Sequence, residues 1–307
     1  MNTFRRVFII SLMICLTTLA MSRPAAARVV VDEIGRKVEV PDKPKRIIGL
    51  IASLTETLYA LGLEKRVIGA TTWADYPEAA KRLPQVGSYT SPNLERIVEL
   101  APDLVLATRE GNPPWVVEKL TAAGIPVYVT APTDPKGVPA TLAKLGLVCG
   151  AEKQGQELAR RLREQFAAVE KRLKDAPYTP TLLIIGSRPL VSVAKGTLSH
   201  ELMVMAHAKN IAADAPGPWP RLSLEYVVEA KPQVVILSNM DRDQDLEREL
   251  KFWRTMPGVG DLPGVRVVSI MSDLTDRPGP RLGLGLEALA KLIHPERFET
   301  PAKGAAK

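Results

Sequence analysis

The chain has 307 residues, a formal net charge of +7, three histidines and two cysteines. Its basic residues are scattered, with no basic block and no aromatic–basic interleaving, which argues against a nucleic-acid binder. Two cysteines, one of them inside an N-terminal leader, exclude an internal disulfide framework and a thiolate metal site.

Met1–Arg6 is a short basic start, Val7–Ala20 an uncharged and mostly apolar run of 14 residues, and Pro24-Ala25-Ala26-Ala27 a small-residue exit. These are the parts of a secretory signal peptide. The apolar run is shorter than the roughly 20 residues a membrane span needs, and the bulky Ile14 before Cys15 argues against a lipid anchor. Cleavage is expected after Ala27, giving a periplasmic protein that starts at Arg28 and keeps Cys149 alone. The leader carries Arg5, Arg6 and Arg23 and no acid, so its loss lowers the charge from +7 to +4.

In the mature chain, short apolar runs at Ile47–Ile51, Val67–Ala70, Leu104–Ala107 and Val127–Val129 predict buried strands. Helical patterns lie between them at Leu54–Leu61, Leu94–Leu100 and Trp115–Ala123. This order predicts a parallel sheet covered by helices. Gly150–Lys174 is charged and free of proline, with Gly155 its only interior glycine, and predicts one long helix. Strands resume near Leu182–Ile185, Val234–Leu237 and Val265–Ile270, and the tail Glu299–Lys307 is expected to be loose. The expected fold class is α/β, two Rossmann-like lobes joined by a single long helix, with a ligand cleft between them. The expected divisions are a signal peptide at 1–27, a first lobe at 28–148, the bridging helix at 149–176 and a second lobe at 177–307.

An internal repeat supports two related lobes. Asn93–Leu106 aligns without gaps to Ser223–Ile236 at a constant offset of 130, with six of fourteen positions identical. In each copy an N-capping residue is followed by a first-turn glutamate, Glu95 or Glu225. Proline then ends the helix ahead of a strand. Such a helix–turn–strand grammar can also arise without duplication, but the unbroken register favours a copied lobe. Two lobes imply a cleft, the usual setting of a small-molecule site.

Catalysis finds little support, and no catalytic residue is assigned. His200 and His207 lie seven apart in the helical pattern Ser199–Ala208 without a third ligand, so they read as packing or surface residues and no metal site is expected. Gly283-Leu284-Gly285 mimics a dinucleotide fingerprint, but its loop is too long for one and it reads as a helix start. Aromatic residues in loops are more informative. Trp73 sits in Thr71–Pro77 just after a strand, and Trp219 in the stiff Pro216-Gly217-Pro218-Trp219-Pro220. Rings held by prolines suit a large flat apolar ligand; each could instead cap the core of its own lobe. The loop Ser272–Arg281 offers polar groups for ligand amides or carboxylates, or is a solvated connection.

In these loops the sequence resembles the periplasmic binding proteins of vitamin B12 and ferric-siderophore ABC importers, and within them the cobalamin-carrying branch. The segments that carry this are Asp75-Tyr76-Pro77, Asn93–Val98, Gly111-Asn112, Pro218-Trp219-Pro220 with Ser223 and Glu225, and Ser272-Asp273 with Arg277 and Pro280-Arg281. The resemblance implies a ligand site of Trp73, Tyr76, Trp219, Asp273 and Arg277. It also implies docking of Glu95 and Glu225 to arginines of a permease dimer that works with ATPase subunits. Both glutamates also stabilise their own helix starts. No intrinsic cofactor is expected, and the protein is expected to be a monomer that is not an enzyme. Leu274-Thr275 stands where the cobalamin branch has aromatic residues. A corrinoid, a ferric siderophore or haem therefore remain as ligands, with Tyr76 and Tyr89 the candidate iron ligands for haem. A secreted α/β enzyme or a sensory domain are the readings from other classes.

Overall fold

The computed structural model describes residues 27–239 and 245–299, so most of the expected leader and nearly all of the expected loose tail lie outside the described residues. Strands β1 (Ala27–Val31) and β2 (Lys37–Pro41) form an antiparallel hairpin, in which β2 alternates polar and apolar residues with Val38 and Val40 buried. The hairpin is fastened by Glu33, whose carboxylate accepts hydrogen bonds from the Ala131 amide at 2.7 Å and the Thr141 hydroxyl at 2.9 Å.

The first main sheet is wholly parallel, in the order β4 (Val67–Ala70), β3 (Ile47–Gly49), β5 (Leu104–Thr108), β6 (Val127–Thr130). Its strands are buried on both faces, as their continuous apolar runs require. Alternate residues enter different cores: Ile47, Leu104 and Leu106 meet Leu54 and Leu58 of α1 (Ala52–Ala60). Ile48, Val105 and Val127 meet Ile97 of α2 (Leu94–Glu99) and Leu120 of α3 (Pro114–Ala122).

The chain then runs through α4 (Val138–Val148) into α5 (Glu152–Leu173), a 22-residue helix within the expected Gly150–Lys174. The turn between them uses Gly150 at φ 67°. A Cβ at Gly146 would lie 2.5 Å from the Cα of Gly155, so the two helices touch backbone to backbone there. Cys149 is buried in this corner, and burial pushes its thiol up to about 12. The buried stripe of α5, Leu162, Phe166, Val169 and Leu173, joins the core of the second lobe, while Leu158 also packs on the first.

In the second sheet the order is β11 (Arg266–Met271), β10 (Val234–Asn239), β7 (Thr179–Ser187), β8 (Leu190–Ser192), with β9 (Ala208–Asn210) also paired to β7. All these pairings are parallel except β7 with β8. Alternation again feeds two cores, Leu183, Val234 and Ile236 on one face and Leu182, Val235 and Leu237 on the other. The covering helices are α6 (Leu198–Met205), α7 (Leu224–Ala230), α8 (Leu246–Thr255) and α9 (Leu282–Ile293).

The repeat maps onto equivalent elements: α2 leads to β5 as α7 leads to β10. Ile97 and Val227 are both fully buried, and the residue before each proline, Ala101 and Lys231, is left-handed at φ 44° and 47°. His200 and His207 do not share one helix. Helix α6 ends at Met205, and His207 lies beyond it at φ 54°. His200 is buried against Asn210, and the partly buried His207 stacks on Tyr178 at 4.7 Å, so each packs in a different element.

Candidate functional site

In parallel sheets the loops at the carboxyl ends of the strands are free to carry function. In the first lobe these loops are tied together by the buried Asn112. Its Oδ1 accepts from the Thr108 amide at 2.9 Å, and its Nδ2 donates to the carbonyls of Leu50 at 3.1 Å and Tyr89 at 2.8 Å. One side chain thus fixes three loops. Above this platform Trp73, Tyr76 and Tyr89 remain 48, 47 and 42 % exposed.

Trp219 of the second lobe is 62 % exposed. Its loop is held to the β8 segment: the Ala194 amide donates to the Pro218 carbonyl at 2.9 Å, and the Ser192 amide to the Pro220 carbonyl at 3.0 Å. The ring is presented to solvent by a fixed backbone and does not cap the core of its lobe. The other two tryptophans differ. Trp253 is buried, and Trp115 lies beside Lys119.

The loop 272–281 folds back on the first lobe. Arg277 pairs with Glu56 at 2.6 Å, with Asp75 at 3.1 Å and with Asp273 at 2.7 Å, and donates to the Trp73 carbonyl at 3.2 Å. Arg281 also pairs with Glu56, at 2.8 Å, and its guanidinium carbon lies 3.9 Å from the centre of the Tyr76 ring. Burial alone would lower the pKa of Arg281; Glu56 and Asp273 more than offset this and raise it. Trp73, Tyr76, Asp273 and Arg277 are therefore in one constellation between the lobes. Trp219 belongs to the second-lobe side. Asp276 points the other way, accepting from the Ser199 hydroxyl at 2.8 Å, and burial raises its pKa.

Arg281 falls in the loop Ser272–Arg281 that the sequence singles out, whereas Glu56 lies outside every segment it selects for the site. Glu56 lies in the helical run Leu54–Leu61, and the signal available was a charge in the midst of Leu54, Leu58 and Leu61. Its burial by another lobe has no local signature.

Glu95 and Glu225 are exposed in the first turns of α2 and α7. Their helices start alike: Asn93 Oδ1 accepts from the Arg96 amide at 2.9 Å, and Ser223 Oγ from the Tyr226 amide at 3.2 Å. Hydrogen bonds from its own amide and from Ser223 lower the pKa of Glu225, keeping it ionised at neutral pH. Beside Glu225 runs an open groove of about 630 Å³ lined by Leu224, Val228, Phe252 and Met256. Among the described residues, no group of three or more His, Cys, Asp or Glu is placed to hold a metal ion.

Two α/β lobes that carry exposed aromatic residues on their loops have the architecture of a solute-binding protein. The chain belongs to the periplasmic binding protein family, whose model matches residues 47–266. The vitamin B12-binding protein of Photorhabdus laumondii is 33 % identical over 253 residues, covering 82 % of this chain and 88 % of that one. The periplasmic vitamin B12-binding protein of Vibrio cholerae shares the fold with a TM-score of 0.72 at 24 % identity, over 85 % of this chain and all of that one. The periplasmic haem-binding protein of Roseiflexus sp. RS-1 matches with a TM-score of 0.73 at 26 % identity, over 82 % and 99 % of the two chains.

Proposed function

We propose that this protein captures cobalamin or a related corrinoid between its lobes and delivers it to the permease dimer of an ABC importer, whose ATPase subunits drive uptake. The observation that carries this reading is the exposure of aromatic rings on loops of both lobes: Trp73 and Tyr76 on one and Trp219 on the other stand open to solvent. Exposed rings of this size have their largest energetic return when a flat apolar surface covers them. Asp273 and Arg277, ion-paired beside the Trp73–Tyr76 loop, would supply polar contacts to the amide edge of such a ligand. The curated relatives named vitamin B12-binding proteins support the same ligand. Glu95 and Glu225 would engage cationic side chains of the permease, and the groove beside Glu225 would take an adjacent apolar residue.

Export is part of the proposal: the leader is removed after Ala27, and Arg28–Val31 remains to form β1. The mature chain, divided at the 149–176 connection, acts as a monomer without turnover. The haem-binding relatives favour a second reading, in which Tyr76 or Tyr89 binds the iron of haem. Both rings are open to such a contact, at 47 and 42 % exposed.

Gel filtration of the mature protein with equimolar cyanocobalamin and haemin separates the readings. Cyanocobalamin absorbance eluting with the protein supports the corrinoid reading. Haemin eluting in its place would overturn the ligand assignment and keep the carrier role.

A further inference from the structure

The ion-paired constellation between the lobes is built around one side chain, Glu56. The apolar stripe of α1, Leu54 and Leu58, faces the core of the first lobe, and Glu56 is covered instead by the loop 272–281. Its side chain is 2 % exposed and receives three hydrogen bonds from the second lobe. These come from Arg277 Nη1 to Oε1 at 2.6 Å, Arg281 Nη2 to Oε1 at 2.8 Å and Arg281 Nε to Oε2 at 2.8 Å. A carboxylate taken out of water needs such partners, and the two-pronged contact of Arg281 also fixes the plane of its guanidinium.

Each arginine uses its remaining surface on the aromatic loop 71–77. Arg281 lies over the Tyr76 ring, and Arg277 holds the Asp75 carboxylate and the Trp73 carbonyl. The aromatic wall of one lobe is thus gripped by the other, and the orientation of the grip is set by Glu56. Without the charge of Glu56, the next carboxylate for Arg281 is Asp273, now 3.9 Å away. Turning toward it takes the guanidinium off the Tyr76 ring.

We infer that Glu56 is a positioning residue of the ligand cleft: by orienting Arg277 and Arg281 it fixes the Trp73–Tyr76 wall and so sets how slowly a bound ligand is released. This rests on the cleft proposed above as the ligand site. Glu56 touches no ligand itself. It also makes loop order depend on the two lobes being together, so that parting the lobes frees the wall and the ligand at once.

The test compares mature wild type with Glu56→Gln, which keeps the shape and removes the charge. Hydrogen exchange without ligand should speed up about tenfold in peptides covering 71–77, the effect of losing a charge-assisted contact, and stay unchanged in β3 and β5. With cyanocobalamin, dissociation should quicken about tenfold while association changes less than about threefold, as expected when a preformed wall is loosened. Unchanged exchange at 71–77, or an increase spread evenly over the first lobe, would overturn the assignment. If wild type binds no cyanocobalamin, the ligand reading fails and the exchange comparison still decides the role of Glu56. Should Glu56→Gln not fold, Arg281→Lys serves the same comparison, since it keeps the charge and loses the two-pronged contact to Glu56 and the guanidinium over the Tyr76 ring. It should loosen 71–77 in the same way, and unchanged exchange there would overturn the proposal equally.

Discussion

Replacing Trp219 by alanine removes a large exposed apolar ring from the second lobe. Of the roughly 250 Å² that a tryptophan can bury, the 62 % left exposed corresponds to about 150 Å². Covering two-thirds of that at about 25 cal/mol per Å² gives about 2.5 kcal/mol, or roughly sixtyfold in Kd. Buried area converts incompletely into affinity, so the expected loss is about ten- to sixtyfold. Because the ring is exposed on a loop held by backbone hydrogen bonds from Ala194 and Ser192, the urea midpoint of Trp219→Ala should match wild type. Calorimetric titration with cyanocobalamin alongside urea unfolding measures both. A Kd within about threefold of wild type, or a large drop in the urea midpoint, would refute the reasoning. The first result would mean that the ring does not face the ligand, the second that it serves the core.

Three further predictions concern other parts of the molecule. Reversing the charge at both Glu95 and Glu225 should abolish uptake through the reconstituted importer and leave cyanocobalamin binding intact; persistent uptake would reduce both residues to helix-start stabilisers. Burial lowers the pKa of His200 and His294 below the ordinary 6.5, so on acidification from pH 7 the unfolded chain gains protons that the native chain does not. Stability should therefore fall as pH drops through 6.5 toward the lower folded values, and the part due to His294 should vanish in His294→Gln when urea midpoints at neutral and acid pH are compared. Gly155→Ala would place a Cβ 2.7 Å from the Cα of Gly146 and should cost about 2–3 kcal/mol by overpacking, read as a lower urea midpoint; an unchanged midpoint would show that α4 and α5 can separate without loss.

The parallel sheets were legible because their strands are buried on both faces and so read as continuous apolar runs, as at Leu104–Ala107 and Val234–Leu237. The repeat was legible for a different reason. Cap, first-turn glutamate and terminating proline recur because each lobe needs the same helix to stop before the same strand. The left-handed residues Ala101 and Lys231 that complete this turn carry no composition signal, since neither is glycine. The β1–β2 hairpin is not among the expected strands although Lys37–Val40 alternates polar and apolar as a half-buried strand does; each strand is only five residues long. His207 was assigned to a helical pattern that backbone geometry ends two residues earlier. At the site, exposed rings on proline-bound loops could be chosen from sequence. Glu56 could not, because a glutamate in a helix is ordinarily a solvated face, and its burial depends on a loop more than 200 residues away.

The central claim is that the space between the lobes takes one corrinoid. Calorimetric titration of the mature protein with cyanocobalamin tests it most directly. Saturation at one ligand per chain is expected, with a negative heat-capacity change as the Trp73, Tyr76 and Trp219 rings are covered. No saturable heat with cyanocobalamin, alongside saturable binding of haemin or a ferric hydroxamate, would contradict it.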